Sequence, residues 1–155
     1  NSITQPDNRW LSARDAIAVL YLDLDDFKPI NDNYGHAFGD LVLKTVAMRM
    51  KENLRLDDLI FRIGGDEFVI MLALENEGPP LDITHRVAES LSLAISTPIV
   101  VDNEAVNIGV SIGIGLYPED FNDIEIVIKL ADKAMYQAKK KGEKISYVSQ
   151  LPSIL

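Results

Sequence analysis

Cysteine is absent from the 155 residues, which excludes a disulfide framework and a thiolate metal site; any bound metal must take oxygen or histidine ligands. No apolar run approaches the length of about 20 residues that crosses a bilayer. The opening residues, Asn1-Ser2-Ile3-Thr4-Gln5-Pro6, lack a basic-then-apolar leader pattern. The expectation is a cytoplasmic domain with no membrane contact of its own, either free or as the cytoplasmic part of a larger membrane-anchored protein. Positive charge is scarce as well: 15 Lys and Arg against 24 Asp and Glu leave a net charge of −9. That balance argues against a nucleic-acid groove, which neutralises phosphates with a basic surface. A small phosphate ligand stays compatible, because it needs only a local cluster of donors, often with a divalent cation.

What is present describes one folded domain. Hydrophobic residues make up 47% and charged residues 25%, a balance that can bury a core at this length. Residues 17–25 read Ile-Ala-Val-Leu-Tyr-Leu-Asp-Leu-Asp, apolar at both parities until the last three, which predicts a central strand covered on both faces and ending in carboxylates. Residues 40–54 place Val42, Leu43, Val46, Ala47, Met50 and Leu54 on one helical stripe. Residues 59–63 and 67–74 are apolar runs flanking Gly64-Gly65, a pair suited to a tight hairpin turn. A second helix is predicted over 82–96. Runs at 99–102 and 105–117 around Asn103-Glu104 predict another hairpin, with Gly109, Gly113 and Gly115 marking bulges or close backbone approach. The apolar stripe from Ile124 to Ala138 predicts a helix ending near Gly142, followed by an edge strand over 145–148. The expected fold class is therefore α+β: a ferredoxin-like, palm-type β-α-β-β-α-β core with an added hairpin, helix and edge strand, its helices on one side of the sheet.

Two acidic groups stand out, Asp23 with Asp25 at the end of the first strand and Asp66 with Glu67 beside the Gly64-Gly65 turn. Singly, carboxylates at strand ends and turns are solvated or capping groups. Jointly, in strands that such a fold makes neighbours, they suit Mg²⁺, a hard cation that shares oxygen ligands with substrate phosphates, and two such cations suit in-line phosphoryl displacement.

Longer motifs sharpen the reading. Leu22-Asp23-Leu24-Asp25-Asp26-Phe27-Lys28-Pro29-Ile30-Asn31-Asp32-Asn33-Tyr34-Gly35-His36-Ala37-Phe38-Gly39-Asp40 resembles the first signature of the GGDEF family of diguanylate cyclases, and Gly64-Gly65-Asp66-Glu67-Phe68 resembles its namesake motif. Ser111-Ile112-Gly113-Ile114-Gly115-Leu116-Tyr117-Pro118 and Ala131-Asp132-Lys133-Ala134-Met135-Tyr136-Gln137-Ala138-Lys139 are similar to the third and fourth signatures, in order and spacing. The resemblance covers nearly the whole chain as a single domain, with a partial N-terminal signature in 1–15 and a tail or linker to a further domain in 149–155.

The resemblance implies an enzyme that condenses two GTP into cyclic di-GMP, a bacterial second messenger, releasing two pyrophosphates at a homodimer interface, since each domain of the family binds one GTP. It implies Mg²⁺, or Mn²⁺, held by Asp23, the Leu24 carbonyl and Asp66, with Glu67 serving the metal or deprotonating the attacking hydroxyl. It places Asn31 and Asp40 on the guanine, an assignment that speaks against an adenine substrate, and it places backbone near Phe27 and Lys28, together with the Lys139 ammonium, on the phosphates. His36 lies in the signature, either as a substrate contact or as a loop-packing residue. Arg55-Leu56-Asp57-Asp58 sits at the spacing of the family's Arg-x-x-Asp product-inhibition site, where Arg55 and Asp58 would hold cyclic di-GMP with Arg86 as a second basic contact; Ser90 stands where another arginine is often found.

Two departures matter. Trp10 to Asp15 leaves too few residues for the helix that follows the N-terminal signature in the family, so either that helix is deleted or residues are missing from the sequence. After Lys139 the chain reads Gly142-Glu143-Lys144 where the family has Gly-Arg-Asn. An ammonium cannot reproduce the bidentate fork of a guanidinium. The alternative function is accordingly a weak or inactive domain that binds GTP or cyclic di-GMP and regulates an adjacent one.

Overall fold

The computed structural model describes residues 7–75 and 78–152; the notable parts of the N-terminal signature at 1–6 and of the tail at 153–155 lie outside the described residues. The first strand, β1 (Ile17–Asp25), has the limits its apolar run predicts. It is the middle strand of a five-stranded sheet. The other members are β2 (Leu59–Gly64), β3 (Glu67–Ala73), β6 (Gly109–Tyr117) and β7 (Ile145–Tyr147), in the order β2-β3-β1-β6-β7. All neighbours are antiparallel except β6 and β7.

Side-chain alternation along β1 divides the core. Ala18, Leu20, Leu22 and Leu24 face one way, against the helices α2 (Phe27–Tyr34), α3 (His36–Glu52) and α4 (Pro80–Ser96). Ile17, Val19 and Tyr21 face the other way, against Val127, Ile128, Ala131 and Met135 of α5 (Ile124–Lys141). Helices therefore cover both faces, and the one-sided arrangement expected from the element order is corrected. The cause is legible in β1 itself: a strand apolar at both parities needs a cover on each side.

Gly113 permits the second cover. A Cβ there would run into the backbone of Ala131 and Met135, so the missing side chain is what lets α5 lie directly on the sheet. The register between β1 and β6 is unbroken from Ile17↔Tyr117 to Asp25↔Gly109, so no bulge lies at the β6 glycines, and close approach accounts for Gly113 and Gly115.

One local expectation changes, and two short helices add to the predicted elements. The run 105–117 divides into β5 (Glu104–Val106), which pairs with β4 (Ile99–Val101) in a separate two-stranded sheet, and β6 in the main sheet. The small hairpin turns at Asp102 and Asn103, which take φ of 50° and 66°. Residues 27–34 form a helix despite Pro29, which stands in the first turn where a missing N–H costs nothing. A five-residue helix α1 (Asn8–Ser12), starting within the N-terminal signature, precedes β1, capped by the Asp7 carboxylate on the Arg9 N–H. It docks through Trp10, whose Nε1–H donates to the Asp57 carbonyl at 2.8 Å, with Arg14 stacked 4.3 Å from the indole centroid. Among the described residues no helix is long and apolar enough to cross a membrane.

Candidate active site

The site forms where β1 ends beside the β2-β3 turn. Gly64 pairs with Glu67, so Gly65 and Asp66 are the two turn residues, and Gly65 takes the positive φ of 48°. The Leu24 N–H donates to the Asp66 carbonyl at 3.0 Å, which pins that turn to the end of β1. Asp23 lies directly across from Glu67 in the register. The two acidic groups picked out in the sequence thus meet at one edge of the fold.

Their surroundings are only partly satisfied. The Asp23 side chain is 15% exposed; its Oδ2 lies 2.7 Å from Lys139 Nζ, while its Oδ1 is buried with no hydrogen-bond partner. Burial pushes the Asp23 pKa up, and the charges of Asp66 and Asp25 add to that rise against the opposing pull of Lys139. Asp25 accepts from the Ser111 hydroxyl at 3.0 Å and lies 3.5 Å from the same ammonium. Burial alone would lower the Lys139 pKa, but its hydrogen bond to Asp23 and the charges of Asp23 and Asp25 leave it above its ordinary value. Asp132, on α5, is also raised, by burial first and then by Glu67 and Asp23. Glu67 accepts from the Tyr21 hydroxyl at 2.9 Å.

The donor set suits a hard cation. An unpartnered buried carboxylate oxygen on Asp23, with Asp66 close enough to raise its pKa, is an oxygen environment short of positive charge. Among the described residues no three His, Asp or Glu side chains already stand in ligand geometry. The Lys139 ammonium draws on Asp23 and Asp25 together.

The nucleotide candidates lie on the helices that follow β1. Phe27 is a core residue at the start of α2, and Lys28 is exposed and pairs with Asp32 at 3.9 Å. Asn31, half-buried on α2, lies against Gly39 of α3; a Cβ at Gly39 would overlap Asn31 Oδ1. Asp40, the next residue of α3, is exposed. His36 opens α3 and is exposed. Lys139 reaches the carboxylates from the last turn of α5, which ends at Gly142 with φ of 70° and a bond from the Glu143 N–H to the Ala138 carbonyl.

Arg55 and Asp58 stand apart, in the turn from α3 to β2. Asp58 accepts from the Arg55 N–H at 2.8 Å and from the Ala73 N–H at 3.0 Å, so its carboxylate ties the turn to β3. Arg86 on α4 lines a different hollow, with His85 and Tyr147, from the one lined by Arg55 and Asp58. Sequence reasoning missed Tyr21, Ser111 and Asp132 as site residues. Tyr21 carried one signal, a hydroxyl two residues before Asp23 and so on the same face of the strand; Asp132 was visible only as a member of the fourth signature.

The sequence matches the family described as diguanylate cyclase, GGDEF domain, over residues 3–144. It is 46% identical over 125 residues to the bifunctional diguanylate cyclase/cyclic di-GMP phosphodiesterase MucR of Pseudomonas aeruginosa, covering 81% of this chain and 18% of that protein. It is 40% identical over 145 residues to the diguanylate cyclase TpbB of the same species, covering 92% of this chain and 33% of that protein. The chain thus spans a third or less of the length of these relatives. The structure superposes on the solved GGDEF domain of TpbB with a TM-score of 0.81 at 38% identity, covering 90% of this chain and 81% of that one. By sequence, fold and the position of its acidic turn, this chain belongs to the GGDEF domain family of diguanylate cyclases.

Proposed function

We propose that the domain is an active diguanylate cyclase, condensing two GTP into cyclic di-GMP and two pyrophosphates between two facing copies of the chain. The observation that carries this reading is the buried, unpartnered Asp23 Oδ1 beside the Asp66-Glu67 turn, with the Lys139 ammonium on the same carboxylate. In each half-reaction the 3′-hydroxyl oxygen of one GTP attacks the α-phosphorus of the other. A new P–O bond forms, the bond to the oxygen bridging the α- and β-phosphates breaks, and pyrophosphate leaves with the electron pair. Asn31 and Asp40 hold the guanine, an amide and a carboxylate matching its acceptor and donor edges. Lys139 and the backbone near Phe27 and Lys28 hold the phosphates. Glu67, its Oε1 fixed by Tyr21, takes the hydroxyl proton or passes it to water. Asp23, Asp66, Glu67 and the Leu24 carbonyl are the residues that would hold Mg²⁺ or Mn²⁺, which supplies charge neutralisation at the triphosphate. One copy binds one GTP, so a monomer alone is nearly inactive.

A second reading, a regulatory domain that binds nucleotide without turnover, is favoured by one feature. Glu143, just beyond the α5 cap, places a negative charge where the family carries an arginine. Incubating the purified protein with GTP and Mg²⁺ separates the two. Cyclic di-GMP and pyrophosphate in a 1:2 ratio, lost in Asp23→Asn and Asp66→Asn, support the cyclase. GTP binding without either product leaves the regulatory reading.

A further inference from the structure

The acidic end of β1 already holds a cation, and it belongs to the chain. Lys139 Nζ lies 2.7 Å from Asp23 Oδ2 and 3.5 Å from Asp25 Oδ1, linking residues 116 positions apart. One ammonium is a poor filler for this place. It leaves Asp23 Oδ1 buried and unpartnered, and the charges of Asp66, Glu67 and Asp132 bear on the same few residues. The lysine reaches the site from a partly exposed position: it is 37% exposed, on a long unbranched stem, in the last turn of α5.

We propose that Lys139 is an internal counter-ion that occupies the cation site until a nucleotide's phosphates draw it away, so that divalent-cation loading is coupled to nucleotide loading. The inference rests on the reading above for the identity of the nucleotide. A divalent ion arriving alone must displace an ammonium from Asp23 and Asp25 and leave it without a partner. An ion arriving with a triphosphate finds the lysine a new anion and gains phosphate oxygens as ligands. The coupling is reciprocal, so each ligand strengthens binding of the other by the same factor.

Mn²⁺ binding, read by electron paramagnetic resonance or calorimetry, tests this without turnover. In wild-type protein, a 3′-deoxy GTP analogue that cannot react is expected to strengthen Mn²⁺ binding by about tenfold beyond the analogue's own affinity for Mn²⁺. Lys139→Met is expected to bind Mn²⁺ alone about tenfold more tightly than wild type and to lose most of that coupling. Lys140→Met makes the same charge change one residue away, where the side chain lies over the Tyr136 ring, and should leave Mn²⁺ affinity nearly unchanged. Equal Mn²⁺ affinity in wild type and Lys139→Met overturns the proposal, as does an equal gain in Lys140→Met. If Lys139→Met does not fold, absence of coupling in wild type overturns it by itself. Coupling in a protein that makes no cyclic di-GMP upholds the counter-ion and removes the cyclase; product formation with no coupling does the reverse.

Discussion

The Tyr21 hydroxyl donates to Glu67 Oε1 at 2.9 Å across the β1-β3 pair, from a residue only 5% exposed. Burial first, then the hydrogen bond to Glu67 and the charges of Asp132, Glu67 and Asp23, hold the phenol far above its ordinary pKa, so it stays a donor throughout the working pH range. One oxygen of Glu67 is thereby fixed. Tyr21→Phe keeps the ring and removes the donor, a bond to a charged group worth about 1.5 kcal/mol, so cyclic di-GMP formation should fall about tenfold. Pyrophosphate release checks the rate and a thermal melt checks that the fold is intact; an unchanged rate would remove Tyr21 from the working site.

Gly39 controls Asn31. Beyond the overlap with Oδ1, a Cβ at Gly39 would lie 2.9 Å from Asn31 Cγ and 3.3 Å from Phe27 Cζ. Gly39→Ala should push the amide aside, cost about 1–3 kcal/mol in stability through overpacking, and weaken GTP binding more than ATP binding. Urea denaturation and paired nucleotide titrations measure both effects. Retained discrimination between the two nucleotides would separate Asn31 from guanine recognition.

The site is held at a cost in stability that depends on pH. Asp132 is raised by burial and then by Glu67 and Asp23, and Asp23 is raised by burial in the same way. A carboxyl with a folded-state pKa above its unfolded value of about 3.9 holds its proton more tightly when folded. The stability it contributes is complete below that pH and is lost as pH rises through the raised value. Asp132→Asn removes the penalty, so its melting temperature should exceed that of wild type at pH 7.5, with the gap closing toward pH 4. Calorimetry at the two pH values decides it, and a variant less stable than wild type at pH 7.5 would contradict the electrostatic account.

Asp58 and Arg55 should separate under mutation. Asp58→Ala leaves the Arg55 and Ala73 N–H groups without their acceptor, a loss of about 1–3 kcal/mol that needs no ligand to be seen. Arg55→Ala is expected to weaken cyclic di-GMP binding more than GTP binding, since the α3-β2 turn lies away from the β1 carboxylates. Calorimetric titration of cyclic di-GMP into both variants is the check, and unchanged affinity in Arg55→Ala would end the product-site reading.

Local patterns reached far in this chain. The limits of β1, the stripe of α5 with its stop at Gly142, and the hairpin around Gly65 all follow from periodicities and backbone preferences spanning a few residues. The same locality misled elsewhere. Residues 105–117 read as one strand because apolar composition continues from β5 into β6, although the two belong to different sheets. Residues 27–34 gave no helical expectation, because Pro29 and polar side chains mask a two-turn helix whose buried contacts are Phe27 and Ile30.

The candidate site divides in the same way. That Asp23, Asp66 and Glu67 end a strand and flank a turn was determined by the sequence, because each feature depends on its immediate neighbours. Only the tertiary structure decided that Asp23 lies opposite Glu67, that Tyr21 holds Glu67, and that Lys139 returns from 116 residues away to the carboxylate of Asp23. The reason is physical: a carboxylate's pKa and partners depend on its burial and on charges within a few ångströms, and those distances exist only after strands far apart in the chain have paired.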